Sequence, residues 1–288
     1  MNRLPIPGRL WIASDVHLGP DSPATAAAFH GFLRQAAAQA DALILAGDLF
    51  DAWTGDDIGL ASPEPWLRAA LNALQQVSAR IPLWLGHGNR DFLIGPALAR
   101  YVGARLLTDP ALLDTDAGPV LLAHGDQYCL ADRNYQRFRR IVRNRGVQAA
   151  YLALPVAARR RIAAWARGRS RSANRYKTQT IMDVTPHAIA TALREAGPDV
   201  HALIHGHTHR PGRHALTVDN RACERLVLPD WDLDHTATPR GGWVVIDTEG
   251  LHLHQPDAAT LAEMAAVDIL PRLKSVDSYC AHPGIEPE

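Results

Sequence analysis

Residues 42–48 read "ALILAGD", five apolar residues followed by a glycine and an aspartate. A short, β-compatible run that ends this way reads as a buried strand entering a tight turn. Related runs recur at "RLWIASD" (9–15), "PLWLGHGNRD" (82–91), "PVLLAHGD" (119–126) and "VHALIHGHTH" (200–209). Helical stretches lie between them. One spans about 23–40 and places Phe29, Phe32 and Leu33 on one face; others fall near 63–80 and at 185–197. Strands alternating with helices predict an α/β architecture. In such folds polar groups gather beyond the carboxyl ends of the strands. Asp15, Asp48, Asn89 and His124 all fall at such ends. "GGWVVIDTEGLHLHQ" (241–255) predicts a two-stranded hairpin.

Composition narrows the class. The chain has 288 residues, 47% apolar and 21% charged, which suits a soluble globular protein with an ample core. Lys plus Arg equals Asp plus Glu at 30 each, so net charge names no partner. No run of 18 apolar residues predicts a membrane span, and "MNRLPIPGRLWIASD" lacks the apolar stretch of a secretory signal. Cys129, Cys223 and Cys280 are scattered and odd in number. That argues against a disulfide framework or a thiolate zinc site and for a reducing, cytoplasmic setting. The 14 histidines point towards metal or phosphate chemistry.

After Asp132 the composition shifts. From Arg133 to Met182 there is no Asp or Glu, yet 14 of the 30 Lys and Arg lie there. The stretch predicts two helical segments, "RNYQRFRRIVRNRG" and "VQAAYLALPVAARRRIAAWARG". The organisation predicted is therefore a core of 1–132 and 183–255, a helical insertion at 133–182, and a C-terminal extension at 256–288, expected to be in part disordered.

Five polar clusters sit at the strand ends: "SDVHLG", "GDLFDAW", "GHGNRD", "AHGD" and "HGHTH". Alone, each has an ordinary reading. Asp-x-His is commonly a cap or surface pair, Gly-Asp and Asn-Arg-Asp are turns, and a single His before Gly is a packed histidine. Together, in this order and each after an apolar run, they predict a dinuclear metal site. The donors are oxygen and imidazole nitrogen, without sulfur, which suits Mn²⁺, Fe²⁺, Co²⁺ or Zn²⁺.

D-x-H, G-D, G-N, H-G and G-H-x-H in this order resemble the calcineurin-like metallophosphoesterases. The resemblance implies two mixed β-sheets flanked by helices, with the metals at the strand ends. By motif match it implies that Asp15, His17, Asp48 and His209 hold one ion. Asp48, Asn89, His124 and His207 would hold the other, Asp48 bridging. Such a pair clamps a phosphoryl group and activates a water.

One position departs from the superfamily pattern. Many members carry His after the Asn; this chain has Arg90. Arginine cannot give up its proton but pairs with phosphate oxygens through two N–H groups. That favours a leaving group needing no protonation, such as a phosphate whose second pKa is about 6. The target predicted is a P–O–P bond. "GDLFDAWTGDD", "GNRDFLIG", "RSANRYKTQTIMDV" and "HGHTHRP" further resemble the UDP-2,3-diacylglucosamine diphosphatases of lipid A biosynthesis, over about residues 10–250. That resemblance implies two Mn²⁺ ions and hydrolysis of a UDP-linked diacylated glucosamine lipid to UMP and 2,3-diacylglucosamine 1-phosphate. It implies a substrate set of Asn89, Arg90, Asp132, Ser170, Asn174, Lys177 and His207, with Asn89, Arg90 and His207 stabilising charge in the reaction. Another dinuclear phosphoesterase, or a metal-stabilised lipid- or nucleotide-binding protein, is the rival reading.

The insertion fits the narrower resemblance. "YLALPV" (151–156), Ile162 and Trp165 offer apolar surface; Arg159, Arg160, Arg161, Arg167, Arg169 and Arg171 offer charge. A substrate cap that also rests on the anionic inner-membrane face is expected. The plain alternative is apolar packing on the core with arginines in solvent. No aromatic stacking platform lies among the arginines, so nucleic acid is not expected. Trp11, Trp84 and Trp243 are expected in the core, Cys129 buried, His205 packed, and Asp56 and Asp57 in a polar loop. Asp51 and His87 stay open between site and packing roles.

Overall fold

The computed structural model describes residues 2–174 and 183–266. The first half runs β1 (Arg3–Ile6), β2 (Leu10–Ala13), α1 (Pro23–Gln39), β3 (Ala42–Leu45), α2 (Asp56–Ala61), α3 (Pro65–Ser78), β4 (Leu83–Leu85), α4 (Pro96–Tyr101), β5 (Arg105–Leu106), β6 (Ala111–Thr115) and β7 (Gly118–Ala123). Then come α5 (Arg133–Val142), α6 (Arg145–Leu152) and α7 (Val156–Asn174). The second half runs α8 (Pro186–Ala196), β8 (Ala202–His205), β9 (Gly212–Val218), β10 (Arg221–Val227), β11 (Trp243–Asp247), β12 (Gly250–His254) and α9 (Ala258–Ala266).

Two six-stranded mixed sheets result, ordered β12-β11-β2-β3-β4-β5 and β1-β6-β7-β8-β10-β9. β2, β3, β4 and β5 run parallel, with β11 and β12 antiparallel at one edge. β7, β8 and β10 are parallel in the other sheet. Strand periodicity builds the layers, because alternate side chains face opposite ways. Leu10, Ile12, Ile44 and Trp84 share one buried cluster with Leu122, Ile204 and Leu226 of the other sheet. Their alternates Trp11, Ala13, Leu43, Leu45, Leu83 and Leu85 pack outward with Phe29, Phe32 and Leu33 of α1 and Leu71 and Leu74 of α3. Leu121 and Leu203 pack with Ile189 and Leu193 of α8. The two-sheet, helix-flanked architecture is the one expected, and Trp11, Trp84, Trp243 and Cys129 are buried as predicted.

One expectation needs correction, and two elements lie beyond what the sequence reading placed. The pair β9–β10 escaped the sequence reading because β9 is largely exposed, with only Leu216 and Val218 packed on the α8 side. Its turn carries Asp219 and Asn220 at φ 49° and 64°, the left-handed pair a two-residue hairpin requires. The described part of the acid-free segment, 133–174, forms three helices where two were expected. Asn144 caps α6 by accepting from Gly146 N (2.9 Å) and Val147 N, and Pro155 ends that helix before α7. Finally, the extension beyond 256 starts as α9, with Leu261 and Met264 buried against α1. A Cβ at Gly31 would lie 2.2 Å from Met264 O, so the two helices meet backbone to backbone. Two anchors three residues apart were too weak a pattern to find this helix in the sequence.

Candidate metal centre

The carboxyl ends of β2, β3, β4, β7 and β8 open to one side and deliver Asp15, Asp48, Asn89, His124 and His207 to a common edge. The backbone there is unusual. Asp15, His17, Asp48, His207 and His209 all have left-handed φ between 50° and 66°. Non-glycine residues rarely adopt it, and a cost of about 1–3 kcal/mol each persists only where the surroundings over-determine it. Apart from the Asp219–Asn220 turn, these are the only non-glycine residues with positive φ among the described residues. The strain turns five side chains inward.

Close backbone approach explains two glycines. A Cβ at Gly88 would lie 2.0 Å from Asp48 Oδ1, and one at Gly206 would lie 2.1 Å from Asp15 Oδ2. Asp91, fully buried, ties the strand ends together. Its carboxylate accepts from Asp48 N (3.2 Å), Leu49 N (2.8 Å), Phe50 N and Gly88 N (2.8 Å).

Two donor groups form. Asp15 Oδ1, His17 Nε2 and His209 Nε2 face one another: His209 Nε2 is 3.4 Å from Asp15 Oδ1 and 3.3 Å from His17 Nε2. On the far side, Asn89 Oδ1 lies 2.7 Å from His207 Nδ1 and 3.2 Å from His124 Nε2. Asp48 Oδ2 stands between, 3.9 Å from His17 Nδ1 and 3.8 Å from His124 Nε2. Asp15, Asp48 and His124 also offer atoms within 4.8 Å of one another. His207 and His209 thus belong to different groups despite their spacing in sequence. His205 is fully buried in β8, its Nδ1 2.8 Å from Gly206 O, and burial holds its pKa down to about 3. It is a packed histidine.

The residues fit divalent ions. Asp15 Oδ1 is buried with only imidazole nitrogens close by, His209 Nε2 at 3.4 Å and His17 Nε2 at 4.0 Å, an arrangement that a cation would complete. Burial pushes the Asp48 carboxyl up to about 7, with Asp91 and Asp15 adding to the effect and His124 and Arg90 offsetting part of it. Burial also opposes charge on Asp15, but the His209 hydrogen bond and the nearby imidazoles outweigh it and hold that group well below the usual range. Burial and Arg90 depress His17; burial and His124 bring His207 down to about 4. His209 moves the other way, to about 10, because its bonds to Asp15 and Asp230 outweigh burial. Two positive ions would relieve the crowding of carboxylates that raises Asp48.

The remaining predicted positions fall in different places. Arg90 is at the rim, its side chain 40% exposed; it is ion-paired with Asp51 and its Nε is 3.6 Å from Asp48 Oδ2. Asp51 therefore serves the site by holding Arg90. Asp132 is buried and caps α5, accepting from Tyr135 N at 3.1 Å. Ser170 and Asn174 lie on α7, but their side chains, like the whole of Lys177, fall outside the described residues. His87 Nε2 lies 2.7 Å from Ile94 O, a packing role. Asp56 is not a free loop residue: it takes Trp53 Nε1 (2.9 Å) and caps α4 through Gly95 N (2.9 Å) and Leu98 N (2.8 Å). Asp57 ion-pairs with Arg159, which also donates to Thr54 O (3.1 Å). Arg159 is thereby spent on the core and does not supply free charge for a substrate.

Sequence reasoning missed Asp126, Asp91 and Asp230. Asp126 is fully buried and accepts from Tyr135 Oη (2.5 Å) and Arg139 Nε (2.8 Å), with Arg143 Nη2 at 3.8 Å. An insertion without acid must borrow its counterions from the core, and that was the signal for Asp126. The Tyr135 ring stacks near His207 at 6.1 Å, so α5 reaches the donor groups directly.

Residues 8–211 match the family described as calcineurin-like phosphoesterase. A UDP-2,3-diacylglucosamine hydrolase of Bordetella pertussis is 57% identical over 251 residues, covering 87% of this chain and 96% of the relative. The protein of the same name from Cellvibrio japonicus is 46% identical, covering 78% and 94%. That from Serratia proteamaculans is 44% identical, covering 85% and 98%. The chain belongs to the calcineurin-like phosphoesterase family and groups within it with the chains named UDP-2,3-diacylglucosamine hydrolase.

Proposed function

We propose that this chain hydrolyses the diphosphate of UDP-2,3-diacylglucosamine to UMP and 2,3-diacylglucosamine 1-phosphate, with two Mn²⁺ ions per chain. The observation that carries the reading is the convergence of Asp15, His17, Asp48, Asn89, His124, His207 and His209 beside Arg90. The first ion would sit on Asp15, His17, Asp48 and His209, the second on Asp48, Asn89, His124 and His207. Two divalent ions there would polarise the phosphoryl oxygens and lower the pKa of a water.

The chain's own residues do the rest. Arg90, held by Asp51, offers its N–H groups to a phosphate at the rim. It gives no proton, which matches a phosphate leaving group. Asn89 and His207 stabilise the charge that develops on the phosphoryl oxygens. Ser170, Asn174 and Lys177 of the insertion, with Asp132 at its base, are assigned to the nucleotide and sugar.

The acyl chains need apolar surface. Phe138, Ile141, Leu154, Val156, Ile162 and Trp165 of the insertion are exposed, Trp165 by 66%. A monomeric surface rarely leaves so many large apolar residues open without use. We assign them to the diacyl group and to transient contact with the cytoplasmic face of the inner membrane. No described helix is long and apolar enough to cross a membrane.

The test is UMP release by Mn²⁺-loaded protein from UDP-2,3-diacylglucosamine, scored against UMP from UDP-glucose. Strong preference for the lipid substrate, abolished in Asp48→Asn, is expected. Equal release from both, or none from the lipid, would overturn the assignment in favour of another phosphoesterase.

A further inference from the structure

The loop that follows β10 braces the first donor group from behind. His209 directs Nε2 to Asp15 Oδ1 and His17 Nε2, while Nδ1 lies 3.2 Å from Asp230 Oδ2. Asp230 is 2% exposed and clamped by Arg240, whose Nε lies 3.0 and 2.9 Å from its two oxygens and whose Nη2 lies 2.8 Å from Oδ2. Arg240 is fixed in turn by Asp232, through paired backbone hydrogen bonds of 2.9 and 3.1 Å. The next residue, Trp231, donates its N–H to Asp15 O at 3.0 Å. Two adjacent residues therefore touch both His209 and Asp15. Asp230 lies beyond residue 211, where the family match ends.

We propose that Asp230 is a positioning residue that fixes the ring and tautomer of His209 and so selectively secures one of the two metal positions. An arginine-clamped carboxylate is acceptor-only, so Nδ1 must carry the proton and Nε2 must present its lone pair. Such outer partners orient a ligand histidine and raise its basicity; losing one weakens metal binding about 10–100-fold. The His209 ring is one-third exposed and lies 5.2 Å from the His17 ring, with Asp230 the carboxylate on its Nδ1 side. His124 illustrates the difference: its Nδ1 faces the neutral carbonyl of Ala46 at 3.3 Å. The carboxylate orienter thus gives the two metal positions unequal support, and the loss of Asp230 falls on one.

The inference rests on the dinuclear reading, and the experiment separates the two. Full-length wild type, Asp230→Ala, Asp230→Asn and Arg240→Gln are stripped of metal and titrated with Mn²⁺. Stoichiometry is read by calorimetry and spin coupling between the ions by electron paramagnetic resonance. Wild type should bind two ions and show a coupled pair. Asp230→Ala should lose affinity about 10–100-fold at one position, keep the other, and show a single-ion spectrum at limiting Mn²⁺. Asp230→Asn should recover part of the loss, since its amide oxygen still accepts from Nδ1–H. Its kcat should return at high Mn²⁺ with KM for the phosphoester substrate unchanged. Wild type that binds no Mn²⁺ would overturn the dinuclear reading and this inference with it. Wild type that binds two ions, with variants that bind them identically or lose both equally, would overturn the positioning role alone. Should Asp230→Ala not fold, Asp230→Asn and Arg240→Gln decide between the same outcomes.

Discussion

Asp126→Asn tests how the insertion is pinned to the core. The substitution keeps the shape of a fully buried side chain but removes the charge that Arg139 and Arg143 share. Removing one partner of a buried ion pair costs about 3–5 kcal/mol, because the other charge stays uncompensated. The two arginine side chains are 21% and 19% exposed, and Arg139 keeps Asp109 Oδ2 3.6 Å from its Nη2, so the lower end, about 3 kcal/mol, applies. For an m-value near 3 kcal/mol/M this moves the urea midpoint down by about 1 M. The pH dependence follows from linkage. Burial opposes charge on Asp126, but His124, Arg139, His207 and Arg143 outweigh it and hold the carboxyl well below its usual value. A depressed carboxyl contributes fully above its unfolded pKa of about 3.9 and loses that contribution as pH falls towards the folded value. The gap between wild type and Asp126→Asn should therefore stay constant across the neutral range and close only below about pH 4. Urea melts at several pH values measure it. A neutral-pH loss below about 0.5 kcal/mol, the range of ordinary surface changes, would refute the claim that α5 is held through Asp126.

Leu261→Ala should lower stability by about 2–5 kcal/mol in thermal or urea unfolding, since Leu261 is fully buried against α1; a neutral result would mean α9 is not part of the core. Leu154→Asp combined with Trp165→Asp should raise KM for the diacyl substrate far more than for UDP-glucose, and equal effects would place the acyl chains elsewhere. Metal affinity should climb with pH. A bound ion must displace a proton from His209, whose pKa is raised to about 10, so calorimetry across buffers of differing ionisation enthalpy should show proton release at neutral pH. Affinity independent of pH there would contradict the assignment of Nε2 as a donor.

The parallel strands and their polar ends were legible because short apolar runs mark strands buried on both faces. Their clusters share one sequence order, so Asp15, Asp48, Asn89, His124 and His207 could be placed together from the sequence. β9 was hidden because it is largely exposed, and α9 because two anchors make a faint stripe. Long-range partners were hidden for a different reason. Asp126, Asp91 and Asp230 look like ordinary turn aspartates locally; their worth depends on Arg139, on the amides of 48–50 and on His209, which no local pattern links to them. Arg159 erred the other way: an acid-free run looked like charge for a substrate, yet Asp57 of the core claims it.

The most direct measurement of the central claim is turnover of UDP-2,3-diacylglucosamine by the Mn²⁺-loaded chain in ¹⁸O-water, with both products analysed by mass spectrometry. A site that attacks the phosphorus attached to uridine, with a phosphate leaving unprotonated past Arg90, predicts one ¹⁸O in UMP and none in 2,3-diacylglucosamine 1-phosphate. Label in the lipid product, or no metal-dependent turnover, would contradict it.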